Sequence, residues 1–148
     1  MAITKKFDMQ FIRYMNLFGR VTRVIASHCF AYNNMLVFVV PREFVQQAIG
    51  RNNSNLKTLS NILGKRIRVV SKPDGLKDLK NFVSTIVSPI EFDKVEIVES
   101  SETGIKDAVI TTSNRESKAM LIGRDRARES ELKAILEQYF EIKNLRIN

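Results

Sequence analysis

Apolar residues in the opening stretch recur at helical spacing. Phe7, Phe11, Met15 and Phe18 stand at i, i+4, i+8 and i+11, with Ile12 and Tyr14 flanking the stripe, which predicts an amphipathic helix closed by Gly19. "VIASHCFAY" and "MLVFVV" then read as strands, and the Asn33-Asn34 pair between them tolerates the positive φ of a tight hairpin. In "PREFVQQAI", Pro41 suits a first helical turn, and Phe44, Val45, Ala48 and Ile49 share one face. After "GRNN", Asn53 or Ser54 is placed to cap a helix that carries Leu56, Leu59, Ile62 and Leu63 and stops at Gly64. "KRIRVV" follows as a short strand, with Ile67 and Val69 on one face and Arg66 and Arg68 on the other.

Pro73 and Gly75 in "SKPDG" break both periodicities, and beyond them the pattern begins again. "LKDLKNFVSTIV" reads as a helix ended by Pro89, "FDKVEIVES" and "IKDAVITT" as strands, and "NRESKAMLI" as a helix. "GRDR" then leads into a helix with Leu132, Ile135, Leu136 and Tyr139, and "NLRI" is a last strand. The order helix, strand, strand, helix, loop, helix, strand thus occurs twice. A shift of 73 residues sets Arg42, Glu43, Ile49, Gly50, Arg51, Leu59, Ile62 and Leu63 on identical residues at 115, 116, 122, 123, 124, 132, 135 and 136. Any two amphipathic helices share leucines and isoleucines, but not an Ile-Gly-Arg. The pattern therefore predicts a duplication into two small α+β domains, 1–74 and 75–148, with the matched apolar positions facing a core.

Composition narrows the function classes. The chain has 148 residues, 44% hydrophobic and 27% charged, and no apolar run reaches the roughly 18 residues of a membrane span. "MAITKKFDMQF" has no apolar signal core, so a cytoplasmic protein without a membrane partner is expected. Cys29 is the single cysteine and His28 the single histidine, which excludes an intrachain disulfide, leaves no zinc cluster and gives Cys29 a packing role. Adjacent strand residues point to opposite faces, so these two make no Cys-His nucleophile, and Glu96 and Glu99 read as a solvated rim. No enzyme and no cofactor are expected. The net charge is +8, carried unevenly: residues 1–74 hold twelve basic against three acidic groups, residues 75–148 twelve against thirteen. Attraction for a polyanion should centre on the first half.

The repeated loop is where such an anion would sit. A glycine at a tight turn between two helices lets a ligand backbone approach without a Cβ in the way, and the amide end of the second helix favours negative charge. Around Gly50, Arg51 and Lys57 add charge, and Asn52, Asn53 and Asn55 add neutral donors, a set suited to the phosphates of a nucleic-acid strand. Arg66 and Arg68 lie on the following strand. The nine phenylalanines fall mostly at core-periodic positions, so packing is expected of them rather than base stacking.

"VVPREFVQQAIGRNNSNLKTLSNILGKRIRVVS" and "ESKAMLIGRDRARESELKAILEQYFEIKNLRI" each resemble a KH domain of prokaryotic topology, in which a Gly-x-x-Gly loop joins two helices and clamps about four nucleotides of a single strand by their backbone. With the leading "FIRYMNLFGRVT" and the "VSPIEFDKVEIVE" junction, the tandem pair resembles the archaeal NusA-like transcription factors over nearly the whole chain. The resemblance implies two KH domains, each a three-stranded sheet with helices packed on one face. It further implies single-stranded RNA as a partner, RNA polymerase as a second, and a role in elongation, pausing or termination. A monomer is slightly favoured.

Both loops depart from the family at their last glycine. The first reads Gly50-Arg51-Asn52-Asn53 and the second Gly123-Arg124-Asp125-Arg126. Asn53 tolerates a left-handed backbone, whereas Arg126 would be strained there by roughly 1–2 kcal/mol. Asp125 sets a carboxylate where a phosphate would sit, although Arg124, Arg126 and Arg128 keep the surroundings positive. The second loop thus stands between RNA contact and a packing or charge-only role. Base recognition would use the groove between the first loop's helices and the sheet, beside Ile67, Arg68 and Val69. The competing reading is a scaffold, docked on polymerase or associated with the ribosome, whose loops no longer hold RNA.

Overall fold

The computed structural model describes residues 4–148, with side chains from Met9 onward, so the expected place of the Phe7 side chain in the apolar stripe lies outside what is described. The chain divides into two compact units, Met1–Lys72 and Pro73–Asn148. The first unit runs α1 (Thr4–Thr22), β1 (His28–Tyr32), β2 (Met35–Val40), α2 (Val45–Ile49), α3 (Ser54–Leu63) and β3 (Arg66–Ser71). The second runs α4 (Leu79–Val87), β4 (Lys94–Glu99), β5 (Lys106–Thr111), α5 (Arg115–Ile122), α6 (Ala127–Phe140) and β6 (Ile142–Ile147). Each unit is an α+β KH domain of prokaryotic type. In each three-stranded sheet the middle strand pairs antiparallel with the first and parallel with the third.

The hairpin between β1 and β2 turns on Asn33 and Asn34, both left-handed at φ 51° and 60°, which suits a two-residue connection matched to strand twist. Only five residues of "VIASHCFAY" pair as β1, while β2 is buried at every position, as an unalternating apolar run allows. Phe18 stacks on Phe38 with ring centroids 4.3 Å apart, amid Cys29, Leu36, Val40, Ala48 and Leu59. Burial pushes the Cys29 thiol up to about 12, so it packs as an apolar group. In the second unit Phe82 meets Tyr139 and Phe140 at 5.1 and 5.8 Å. Val83, Ile86, Ile110, Leu132, Leu136 and Ile142 are buried there.

Three expectations need correction. Gly19 does not close α1, which continues to Thr22 and ends on a left-handed Arg23 (φ 64°). The Thr22 hydroxyl causes this by donating to the Phe18 carbonyl (2.8 Å) and accepting from the Val24 amide (3.0 Å), while the Arg23 amide closes on the Gly19 carbonyl (2.9 Å). Pro41 precedes the first turn instead of lying in it. Finally, the matched apolar pairs are not buried alike: Leu59 and Leu132 are fully buried, but Ile62 is 57% exposed where Ile135 is 4%. Identity of residue type across the repeat does not carry identity of burial.

Candidate nucleic-acid interface

In the first unit, Gly50 ends α2 at φ 80°, ψ 167°, and Asn52 (54°, 36°) and Asn53 (61°, 25°) are both left-handed before α3 begins at Ser54. In the second, Gly123 (76°, 173°), Asp125 (54°, 30°) and Arg126 (59°, 24°) trace the same path. Each turn is closed by the same bond, from the Asn53 amide to the Gly50 carbonyl and from the Arg126 amide to the Gly123 carbonyl, both 3.2 Å. Positive φ alone favours glycine at the first position, and space adds a second reason. A Cβ on Gly50 would come within 2.7 Å of the Ser54 hydroxyl, and one on Gly123 within 2.9 Å of Arg128 Cγ.

The helix that follows each loop starts without a side-chain cap. Asn53 stands at the cap position but bonds no amide with its side chain, and an arginine at the equivalent place has no acceptor to offer. Exposed Arg51, Asn52, Asn53 and Lys57 are therefore grouped around an amide end that no side chain closes. Asn55 has an internal task instead: its Nδ2 donates to the Gln47 carbonyl at 3.1 Å, tying α3 back to α2. Arg128, 73 residues further on, does the same to the Met120 carbonyl at 3.0 Å. Both sequence-derived candidates thus brace a loop.

Beside the first loop lies an open groove of about 320 Å³, lined by Met35, Asn53, Leu56, Lys57, Ser60, Arg66, Ile67 and Arg68. Its apolar floor comes from Met35, Leu56 and Ile67, and no acid lines it. Arg66 is held by a 2.8 Å bond from Nη2 to the Asn33 carbonyl. Arg68 is half-buried, and its pKa is lowered first by loss of solvent and then by the neighbouring Arg66, with Tyr32 opposing. It stays cationic at neutral pH, and an anion would relieve the repulsion between the two arginines. Val69 is not at the groove: it packs towards the core. Met35 and Ser60 belong to the groove but gave no sign in sequence, one ending a hairpin and the other sitting mid-helix.

The second unit fills the same region differently. Leu56 corresponds to Glu129, whose side chain is 14% exposed and accepts from Arg126 Nη1 at 2.8 Å. Asp107 accepts from Asn144 at 2.9 Å where β5 and β6 slip register by one residue. Arg124 and Arg126 are exposed, as is Asp125 between them. Among the described residues, no group of three or more His, Cys, Asp or Glu is placed to hold a metal, and no helix is long and apolar enough to cross a membrane.

Two glycine loops of one shape, each joining two helices against a mixed three-stranded sheet, define a tandem KH protein. No protein-family model matches the chain. Three curated archaeal proteins, each named "Probable transcription termination protein NusA", are similar to it. That of Methanococcus vannielii is 29% identical over 90 residues, 61% of this chain and 50% of that protein. That of Methanocaldococcus jannaschii is 27% identical over 84 residues, 57% of this chain and 44% of that protein. The match thus spans about half the length of these two relatives. That of Halococcus morrhuae is 24% identical over 136 residues, covering 92% of this chain and 93% of the relative. The crystal structure of APE1850 aligns with a TM-score of 0.70 and 27% identity, over 95% of this chain and 99% of that one. The chain is thus similar to archaeal proteins named NusA, over somewhat more than half its length for two of them and over nearly all of it for the third.

Proposed function

We propose that this chain is a non-enzymatic accessory factor of transcription that binds single-stranded RNA, chiefly through its first KH loop. The observation that carries the reading is the acid-free groove beside that loop, apolar at its floor and bearing Lys57, Arg66 and Arg68. Phosphates would lie along Gly50, Arg51 and Asn52, where the backbone is open and the first turn of α3 uncapped, and bases would lie on Met35, Leu56 and Ile67. Gly123, Arg124 and Arg126 form a weaker, charge-only contact, because Asp125 and Glu129 stand among them. The names of the archaeal relatives support the transcriptional role. RNA polymerase as the second partner, a monomer as the working unit and the cytoplasm as its place complete the proposed reading.

The test is titration of a short unstructured RNA against the full chain over a range of salt. For about four neutralised phosphates, log K should fall against log salt with a slope of roughly −3. Salt-insensitive or absent binding would leave the scaffold reading in its place.

A further inference from the structure

The corner between α1 and β1 breaks local rules twice. Gly19 lies inside α1, where glycine destabilises a helix relative to alanine, yet an added Cβ would meet only the Val24 carbonyl at an ordinary 3.7 Å. Four residues later, Arg23 occupies the left-handed helix end that glycine suits best (φ 64°). Stability alone favours the reverse arrangement. Local rules broken without compensation inside the fold are expected where a surface has another use.

What these two residues frame is an open groove of about 830 Å³, floored by Gly19, Met15 and Val24 and edged by Arg20, Arg23 and Ile25. No residue lining it is acidic. Ile25 stands 87% exposed between buried Val24 and Ala26. A lone exposed isoleucine needs no explanation, but this one is held on a fixed corner. Thr22 clamps the turn as described above, Gln47 Nε2 donates to the Arg23 carbonyl at 3.4 Å, and the Ser27 amide donates to the Val39 carbonyl at 2.8 Å. An apolar group already ordered loses little freedom when it is covered, which is what an anchor point requires.

We propose that this groove docks a protein partner through an acidic segment, laying a large apolar side chain over Gly19 against Ile25 and setting carboxylates on Arg20 and Arg23. Charge decides the sign of the partner, since both edge arginines are exposed and nothing in the lining offsets them. The wall chemistry decides its class: a fixed aliphatic corner crowned by the exposed Ile25 takes an apolar side chain, and unlike the loop at Gly50 it has no uncapped helix start along which a phosphate backbone would lie.

A displayed library of short random peptides, selected against the full chain, supplies the probe, and one lead peptide is then titrated by fluorescence anisotropy while backbone amide shifts locate it. Leads should combine Leu, Phe or Trp with Asp or Glu and shift residues 15–26. Ile25→Ser, the pair Arg20→Glu and Arg23→Glu, and Gly19→Met should each weaken the lead by about tenfold or more, with unchanged far-UV dichroism and, for Gly19→Met, melting no lower than wild type. Arg23→Gly serves as the variant that cannot fail by unfolding, and it should bind more weakly while melting no lower than wild type. Leads without acids, shifts elsewhere, or an unstructured RNA that shifts residues 15–26 and displaces the peptide would each overturn the proposal.

Discussion

The two loops that join α2 to α3 and α5 to α6 differ in backbone angle by only a few degrees, yet they share just their first two residues. Asn52 and Asp125 have the same φ of 54°, and Asn53 and Arg126 lie within 2° of each other. The path is therefore set by what surrounds the loop: a glycine with no room for a Cβ, and a side chain from the next helix that reaches back to the previous one. Asn55 and Arg128 perform that second task with unrelated chemistry. What differs is the surface offered to a ligand. One loop opens on an apolar floor with cations around it, the other on a carboxylate neutralised by its own arginine.

Charge reversal at the two loops should separate them most. Replacing Arg51 and Asn52 together by Asp should lower affinity for a short unstructured RNA by about a hundredfold, whereas Arg124→Asp with Arg126→Asp should cost only about threefold. Equal losses would mean that two equivalent sites work together and would end the distinction drawn above. Exchange of the floor residues is the next largest test. Leu56→Glu gives the first groove the carboxylate of the second and should weaken RNA by about tenfold. Glu129→Leu should strengthen the second site by a smaller factor, measured in the background of the disabled first loop.

Much of this architecture was legible because its signals are local. The hairpin was readable from Asn33-Asn34, and the repeat from an Ile-Gly-Arg that helical patterning does not demand. The groove was only half legible. Ile67 and Arg68 were placed beside it, but Leu56 appeared as a core-facing residue, and Met35 and Ser60 gave no signal, because only the sheet register brings β2 and β3 together beside α3. The end of α1 was misjudged for a related reason: Gly19 looked like a stop, but the Thr22 hydroxyl, bonded both ways across the turn, carries the helix one turn further. Asn55 and Arg128 were read as donors to a ligand since their types suit one, while their bonds run to Gln47 and Met120.

Backbone strain offers a subtler difference. Arg126 holds a left-handed conformation, whose cost is partly offset by its ion pair with Glu129, a pair exposed at the arginine end and largely covered at the carboxylate. Arg126→Gly should therefore stabilise the second unit by about 0.5–1 kcal/mol, read from amide hydrogen exchange along α6. Asn53→Gly should change α3 by a few tenths of a kcal/mol at most, since asparagine already tolerates the angle. A loss of stability in Arg126→Gly would show that the ion pair outweighs the strain.

The smallest effect distinguishes the units by pH. His28, the single histidine, is half-buried in β1, and its pKa is lowered by burial first and by Lys72 second. A depressed folded pKa means that the unfolded chain takes up the proton first. The contribution is present in full above the unfolded value of about 6.5 and is lost as pH falls through the lower folded value. Urea titrations followed on resonances of β2 and β5 should then show the first unit weakening in that window and the second, which has no histidine, holding level. His28→Gln should flatten the response of β2. Solvent reaches the ring and screens it, so the change will be small, but its confinement to one unit is the informative part. If β5 responds as β2 does, the two units unfold as one cooperative body, and differences between their loops must then be read from binding and not from stability.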